Sequence, residues 1–183
     1  MTTAWVAWGE FLETRLMAHY RDVDEVPIQH IRRVVGRLRE LTGEKHPLTK
    51  WSTFIKPSGR QLLFEVQDPA SDTDAFRFAE RLSDGQLALL PWVQEFVDAV
   101  VDSEMRDDTI TAIRPDVVFP DIVCVAQRRG GRPTITGRNV LARTVAELVL
   151  AGERASDVAE WYSITSGRVE QARAYVQAHP AAA

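Results

Sequence analysis

The chain has 183 residues, 45% of them apolar and 26% charged, with a formal net charge of −4. That is ordinary globular usage and enough chain for one or two domains with a real core. No apolar run approaches the roughly 20 residues of a membrane helix. The N-terminus lacks the basic stretch of a signal peptide, and the single cysteine, Cys124, excludes an internal disulfide or a cysteine-based zinc cluster. One thiol and no export signal fit a reducing cytoplasm.

From the N-terminus, Phe11 to Tyr20 carries Phe11, Leu12, Leu16 and Tyr20 at helical spacing. After a break at Asp22 to Pro27, the stretch Ile28 to Leu41 places Ile31, Val34, Val35, Leu38 and Leu41 on one stripe. Arg32, Arg33, Arg37 and Arg39 fall elsewhere, and Gly43 is a suitable stop. His46-Pro47-Leu48 reads as a loop. Trp51 to Ile55 and Gln61 to Val66 are β-like runs separated by Lys56-Pro57-Ser58-Gly59-Arg60, which has turn chemistry. Two helices followed by a hairpin outline a winged helix, with Lys56 and Arg60 at the tip of a wing that would touch a DNA backbone.

Gln67 to Asp84 is polar and predicts a loop with a short helix around Ala75 to Arg81. Gln86 to Leu90 predicts a strand. Pro91 suits the first turn of a helix that Val93, Phe96, Val97 and Val100 carry to about Val101. Thr109 to Arg114 and Ile122 to Val125 predict two paired strands. Arg128 to Pro133 is a Gly- and Arg-rich loop leading to a helical module: Val140 to Ala151, a short helix Asp157 to Tyr162 capped by Ser156, a turn at Ser163-Ile164-Thr165, and a third helix from Ser166 to about Ala178. The expected fold class is α+β. Its N-terminal helices carry a β-hairpin wing, its middle is small and β-rich, and its C-terminus is a three-helix helix-turn-helix domain. The expected boundaries are 1–68, 69–127 and 128–179, with 180–183 a tail.

Charge is unevenly spread along this order. Residues 1–68 hold ten basic and nine acidic side chains, residues 69–121 four and twelve, and residues 122–183 eight and five. Between Ile122 and Ala146 there are five arginines and no acid, and every basic residue after Ile122 is Arg. Arginine forks onto phosphates and carboxylates and reads guanine, so this choice points to a binding surface. The last two helices fit the bihelical DNA-binding pattern. Ala159 is small where the helices cross, Ser163 sits in the turn, and Val158, Ile164 and Val169 bracket it. The N-terminal part of the third helix would then enter a major groove, with Ser166, Arg168, Gln171 and Arg173 on its outer side. Arg168 can fork to a guanine and Gln171 to an adenine.

Gly130-Gly131-Arg132-Pro133-Thr134-Ile135-Thr136-Gly137-Arg138, Ala146-Glu147-Leu148, Ala151-Gly152-Glu153 and Val158-Ala159-Glu160-Trp161-Tyr162 resemble the domain-of-unknown-function family four-three-three. That family is a small three-helix domain common in bacterial antitoxins. The likeness runs from about Val123 to Val176, with Gly137-Arg138-Asn139-Val140 standing where that family usually has Gly-Thr-Arg-Ile. Trp8-Gly9-Glu10-Phe11, Val26-Pro27-Ile28-Gln29-His30-Ile31-Arg32, His46-Pro47-Leu48 and Gly59-Arg60-Gln61-Leu62 resemble the remainder of a MerR-like winged-helix region, as in VapB-like antitoxins. In such relatives a DNA-binding helix-turn-helix usually precedes the Trp-Gly-Glu-Phe stretch, whereas here Met1 stands just before it; a fragment, a start placed too late, and a variant without that reader are the three readings this departure leaves open.

The resemblance implies an antitoxin that neutralises a PIN-type ribonuclease toxin and, as a homodimer, binds operator DNA to regulate its own operon. Arg128, Arg129, Arg132 and Arg138 are the candidate toxin contacts, because arginines can stand where a metal would among carboxylates. The alternatives are a stand-alone DNA-binding regulator and a small nuclease using the acidic middle. For the nuclease, Asp72/Asp74 and Asp107/Asp108 are the candidate metal ligands. His19, His30, His46 and His179 have no metal-ligand spacing, and no phosphate loop, dinucleotide fingerprint or nucleophile elbow is present. No enzyme, no cofactor and no membrane partner are therefore expected.

Overall fold

A computed structural model describes residues 6–24, 28–67, 77–101 and 106–180, with side chains described for these apart from 18–31. The chain is helical with small antiparallel sheets, and it divides into two compact units: Met1–Asp98 with Arg106–Ile110, and Ala99–Met105 with Thr111–Ala183. The acidic middle of the sequence is thus shared between the two units instead of forming a region of its own.

The first unit opens with helices α1 (Trp8–Asp24) and α2 (Ile28–Thr42). Leu12 and Leu16 from α1, and Val34, Val35 and Leu38 from α2, are buried together with Leu48, which lies in a single 3-10 turn, Pro47–Thr49. Leu41, expected on the same stripe, is 63% exposed. The same helices carry a partly buried polar contact: buried Glu13 accepts from Arg39 at 2.5 Å and lies 3.2 Å from Nδ1 of His46. Gly9 of α1 makes room for that imidazole, whose atoms stand where its Cβ would be.

The hairpin expected over 51–66 does not form. These residues make two helices, α3 (Ser52–Ile55) and α4 (Pro57–Val66). Lys-Pro-Ser-Gly-Arg, read as a turn, acts differently here. Lys56 is extended, as a residue before proline tends to be, and Pro57 takes the first position of α4, where its missing N–H costs nothing. Gly59 lets α4 cross α3 at contact, since a Cβ there would lie 2.3 Å from the Ser52 carbonyl oxygen. Leu63 and Val66, four and seven positions on from Gly59, then face the core with Phe54. The apolar runs were strand-like in composition, but burial of one helical face decides.

A hairpin does occur further on: β1 (Ala79–Arg81) pairs antiparallel with β2 (Leu87–Leu89), turning through Asp84-Gly85 with Gly85 at φ 84°. The short helix expected around Ala75 to Arg81 is therefore not helical over 77–81, of which 79–81 are strand, and its start lies outside the described residues. Buried Gln67 ties the end of α4 to this strand. It donates to the Ala79 carbonyl at 2.8 Å and accepts from the amides of Phe78 and Ala79. Helix α5 (Pro91–Ala99) follows, placing Trp92, Val93 and Phe96 in the core.

In the second unit, β3 (Ala112–Ile113), β4 (Ile122–Val125) and β5 (Thr134–Ile135) form an antiparallel sheet with β4 central. All four residues of β4 are buried, with Cys124 opposite Ile113. Three helices pack on it: α6 (Ala142–Leu150), α7 (Ala155–Tyr162) and α8 (Ser166–Ala178). Ile122 and Ile135 from the sheet, Ala142 and Val145 from α6, Val158 and Ala159 from α7, and Val169, Ala172 and Tyr175 from α8 make one apolar cluster. The cap of α7 is Arg154, not Ser156. Asp157 in the first turn receives Arg154 at 2.8 Å and also the Ser156 hydroxyl.

Candidate functional site

The Arg-rich stretch occupies two adjoining loops of the second unit. The first leaves β4 and runs through Arg129, Gly130 and Gly131, three consecutive residues at positive φ (50°, 67° and 76°). Glycine accepts such angles at no steric cost, whereas Arg129 pays about 1–2 kcal/mol for the left-handed conformation. Its guanidinium recovers this by forking onto Asn139. Nη2 and Nε donate to the Asn139 carbonyl at 2.8 and 3.1 Å, and Nε also reaches the side-chain oxygen at 3.1 Å. Arg132 donates through Nε to the Arg129 carbonyl at 3.1 Å.

The second loop joins β5 to α6 and is closed at its base by the Ile135 amide donating to the Val140 carbonyl at 3.0 Å. Arg138 sits in it, and its Nε and Nη2 donate to the Ser163 carbonyl at 3.2 and 2.7 Å. Ser163 is the left-handed residue (φ 52°, ψ 48°) that ends α7. Ile164 follows it, its amide bonded to the Ala159 carbonyl. The Thr165 hydroxyl then accepts from the Arg168 amide to open α8.

These arginines differ from five others of the chain. Arg39, Arg143, Arg154, Arg168 and Arg173 each have a carboxylate within 4 Å. Arg129, Arg132 and Arg138 are exposed, and among the described residues each bonds only neutral oxygens. Three exposed cations thus sit in two hydrogen-bonded loops with no carboxylate partner among the described residues. Arg128, half-buried at the start of the loop, is engaged within the protein.

The residues expected to read bases are placed less freely. Arg168 donates to Asp121 Oδ1 at 3.0 Å and to the Thr136 carbonyl at 3.3 Å. Gln171 accepts from the Asp121 amide at 3.1 Å. Both side chains thus tie α8 to the loop before β4. Ser166 is exposed, and Arg173 pairs with Glu170 one turn back at 2.7 Å.

Lys56 and Arg60 lie in the first unit, at the junction of α3 and α4 instead of at a wing tip. Lys56 is exposed, while Arg60 donates to the Phe54 carbonyl at 2.7 Å and is half-buried. Sequence reading missed Asn139, Asp121 and the Ser163 carbonyl as the anchors of these arginines. The only sequence signal for any of them is Ser163 in a turn position that favours glycine.

Of the two acidic pairs, only Asp107 and Asp108 are described. Asp108 caps α3 through its side chain, accepting from the Ser52 amide at 2.8 Å and from the Ser52 hydroxyl. Asp72 and Asp74 lie outside the described residues. Among the described residues no group of three His, Cys, Asp or Glu can hold a metal ion, and no helix is long and apolar enough to cross a membrane. His179, at the end of α8, contacts Asp116 at 3.0 Å and packs on Tyr175 and Phe119.

Residues 122–176, the sheet and helices that carry this surface, match the family described as a protein of unknown function (DUF433). The chain is 31% identical over 178 residues to the Mycobacterium tuberculosis protein described as uncharacterized protein Rv2308, an alignment covering 96% of this chain and 72% of that protein, and it belongs to the same family. Its fold is also that of a crystal structure of Rv2018 from Mycobacterium tuberculosis, with a TM-score of 0.71 over 90% of this chain and 77% of that one at 22% identity.

Proposed function

We propose that the chain is a non-catalytic binding protein, the antitoxin of a two-gene pair, which captures a PIN-type ribonuclease toxin and docks on operator DNA through its C-terminal helices as a homodimer. The observation that carries the binding-protein reading is the set of exposed arginines Arg129, Arg132 and Arg138, without carboxylate partners among the described residues and beside the turn between α7 and α8. A surface of this kind needs an anionic partner, and both a carboxylate-lined nuclease site and a DNA backbone qualify. The three-residue turn between α7 and α8 has the outline of a helix-turn-helix, which supports the DNA half of the reading. The VapB-like pattern in the sequence supports the toxin half. Asp108 is occupied as a helix cap, which disfavours the nuclease alternative.

The test is co-expression of the chain with the neighbouring open reading frame, affinity capture, and intact mass of whatever is retained. A stoichiometric partner with ribonuclease activity that the complex silences is the expected result. Operator binding by a chain that retains no partner would replace this reading with that of a stand-alone regulator.

A further inference from the structure

We infer that Arg129, Arg132 and Arg138 are contacts to the phosphate backbone of double-stranded DNA, flanking the groove that α8 would enter, and are not the toxin-capturing residues. The inference rests on the helix-turn-helix half of the reading above and assigns these arginines a role there. Their tethering decides between the two anions. To reach into the recessed carboxylates of a nuclease site, an arginine must extend freely. Arg129 is forked onto Asn139, and Arg138 lies along the Ser163 carbonyl. Both guanidiniums are tethered to their own surface by these bonds while remaining exposed. That arrangement suits a convex partner that comes to the protein, as a phosphate backbone does.

Location argues the same way. Arg138 grips the turn itself, so its charge lies at the mouth of the segment from which α8 begins, where Ser166 and Gly167 are exposed. Gly137, next to Arg138, has no atom within 4 Å of where a Cβ would stand, so the approach to the loop is open. Of the acids on α7, α8 and the loop before β4, Glu160 of α7 is exposed with no side-chain partner among the described residues, and the others named next are engaged elsewhere. Asp116, Asp121, Asp157 and Glu170 each have a partner of their own in His179, Arg168, Arg154 and Arg173. The outer face of α8 is poor in base-reading side chains, since Arg168 and Gln171 are turned to Asp121. Affinity must then come largely from phosphates, and the expected binding is salt-sensitive and weakly selective.

The test uses the full chain and two labelled duplexes of equal length, one from the region upstream of its own gene and one unrelated. Fluorescence anisotropy is followed from 50 to 200 mM salt. The double variant Arg129→Gln/Arg132→Gln should weaken binding to both duplexes alike, by roughly 50-fold near 0.1 M salt. It should also flatten the slope of log K against log salt by about 1.8, from about 0.9 per phosphate contact. The Arg129→Lys/Arg132→Lys variant keeps both charges and should keep most of the slope. An unchanged thermal melt establishes that the loops are intact. Arg138→Gln is measured separately, because it also releases the turn. Wild-type chain that ignores DNA at 50 mM salt, or an unchanged slope in the Gln variant, overturns the inference. So does loss of toxin capture with DNA binding intact. A flattened slope in a chain that captures no ribonuclease would leave the inference standing and remove the antitoxin reading.

Discussion

Arg168 poses the sharpest choice between a residue that reads DNA and one that holds the protein together. Its side chain is 34% exposed, that of Asp121 is 28% exposed, and Nε lies 3.0 Å from the carboxylate. A hydrogen bond to a charged group contributes about 1.5–3 kcal/mol when shielded, and exposed ion pairs contribute 0.2–1 kcal/mol. A half-buried pair falls between, so a coupling of about 1–1.5 kcal/mol is expected from the cycle of Arg168→Ala, Asp121→Ala and the double variant. The further bond to the Thr136 carbonyl, long at 3.3 Å, raises the total loss in Arg168→Ala to about 2 kcal/mol. For a chain of this length that is a fall in Tm of about 4–8 °C. Urea denaturation of the four proteins gives the coupling, and competition among duplexes varied one base pair at a time gives selectivity. The scaffold role requires the coupling and an unchanged order of preference among duplexes. A coupling below about 0.3 kcal/mol together with relaxed preference at a single base pair would refute it and return Arg168 to the groove.

Two glycines of the first unit should respond oppositely to alanine. At Gly59 the new Cβ meets backbone oxygens of α3 and should cost about 1–3 kcal/mol, whereas at Gly36, inside α2 with nothing within 4 Å, it should stabilise by about 0.5–1 kcal/mol; thermal melts compare them directly. Ser163→Gly removes the left-handed penalty at φ 52° and should raise stability by about 1 kcal/mol, and a lower Tm would show that the serine side chain itself holds the turn. Asp157 titrates below the usual carboxylate range, chiefly because Arg154 donates a hydrogen bond to it. Its contribution to α7 is therefore present above the ordinary aspartate pKa and fades as pH falls through the depressed value. In Arg154→Gln the Asp157 titration followed by NMR should move back up, and no movement would exclude Arg154 as the cause.

The C-terminal helices were legible because their information is local. Helical spacing, Gly152 as a stop and small Ala159 at a crossing each act within a few residues, and the observed α6, α7 and α8 lie within two residues of the expected bounds. The stretch 51–66 was not legible, because its choice between strand and helix rests on distant partners, Phe96 against Phe54 and Asp108 on the Ser52 amide, and Trp, Phe and Ile favour strands in isolation. The candidate surface was half legible. Arginine without acid between 122 and 146 marks it, but which arginines are compensated depends on Asp121 and Asn139, whose positions only the fold supplies. Arg168 and Arg138 look alike in sequence; one meets a carboxylate and the other a carbonyl.

Cys124 has a use that follows from its place in β4. It is the chain's sole thiol and is 3% exposed, between strands β3 and β5 at the centre of the sheet. A thiol reagent can reach it only when that sheet opens. Its modification rate is therefore a built-in clock for the opening of the second unit alone, read without any engineered label. The slowing of that clock by a bound partner reports how strongly the partner favours the closed sheet.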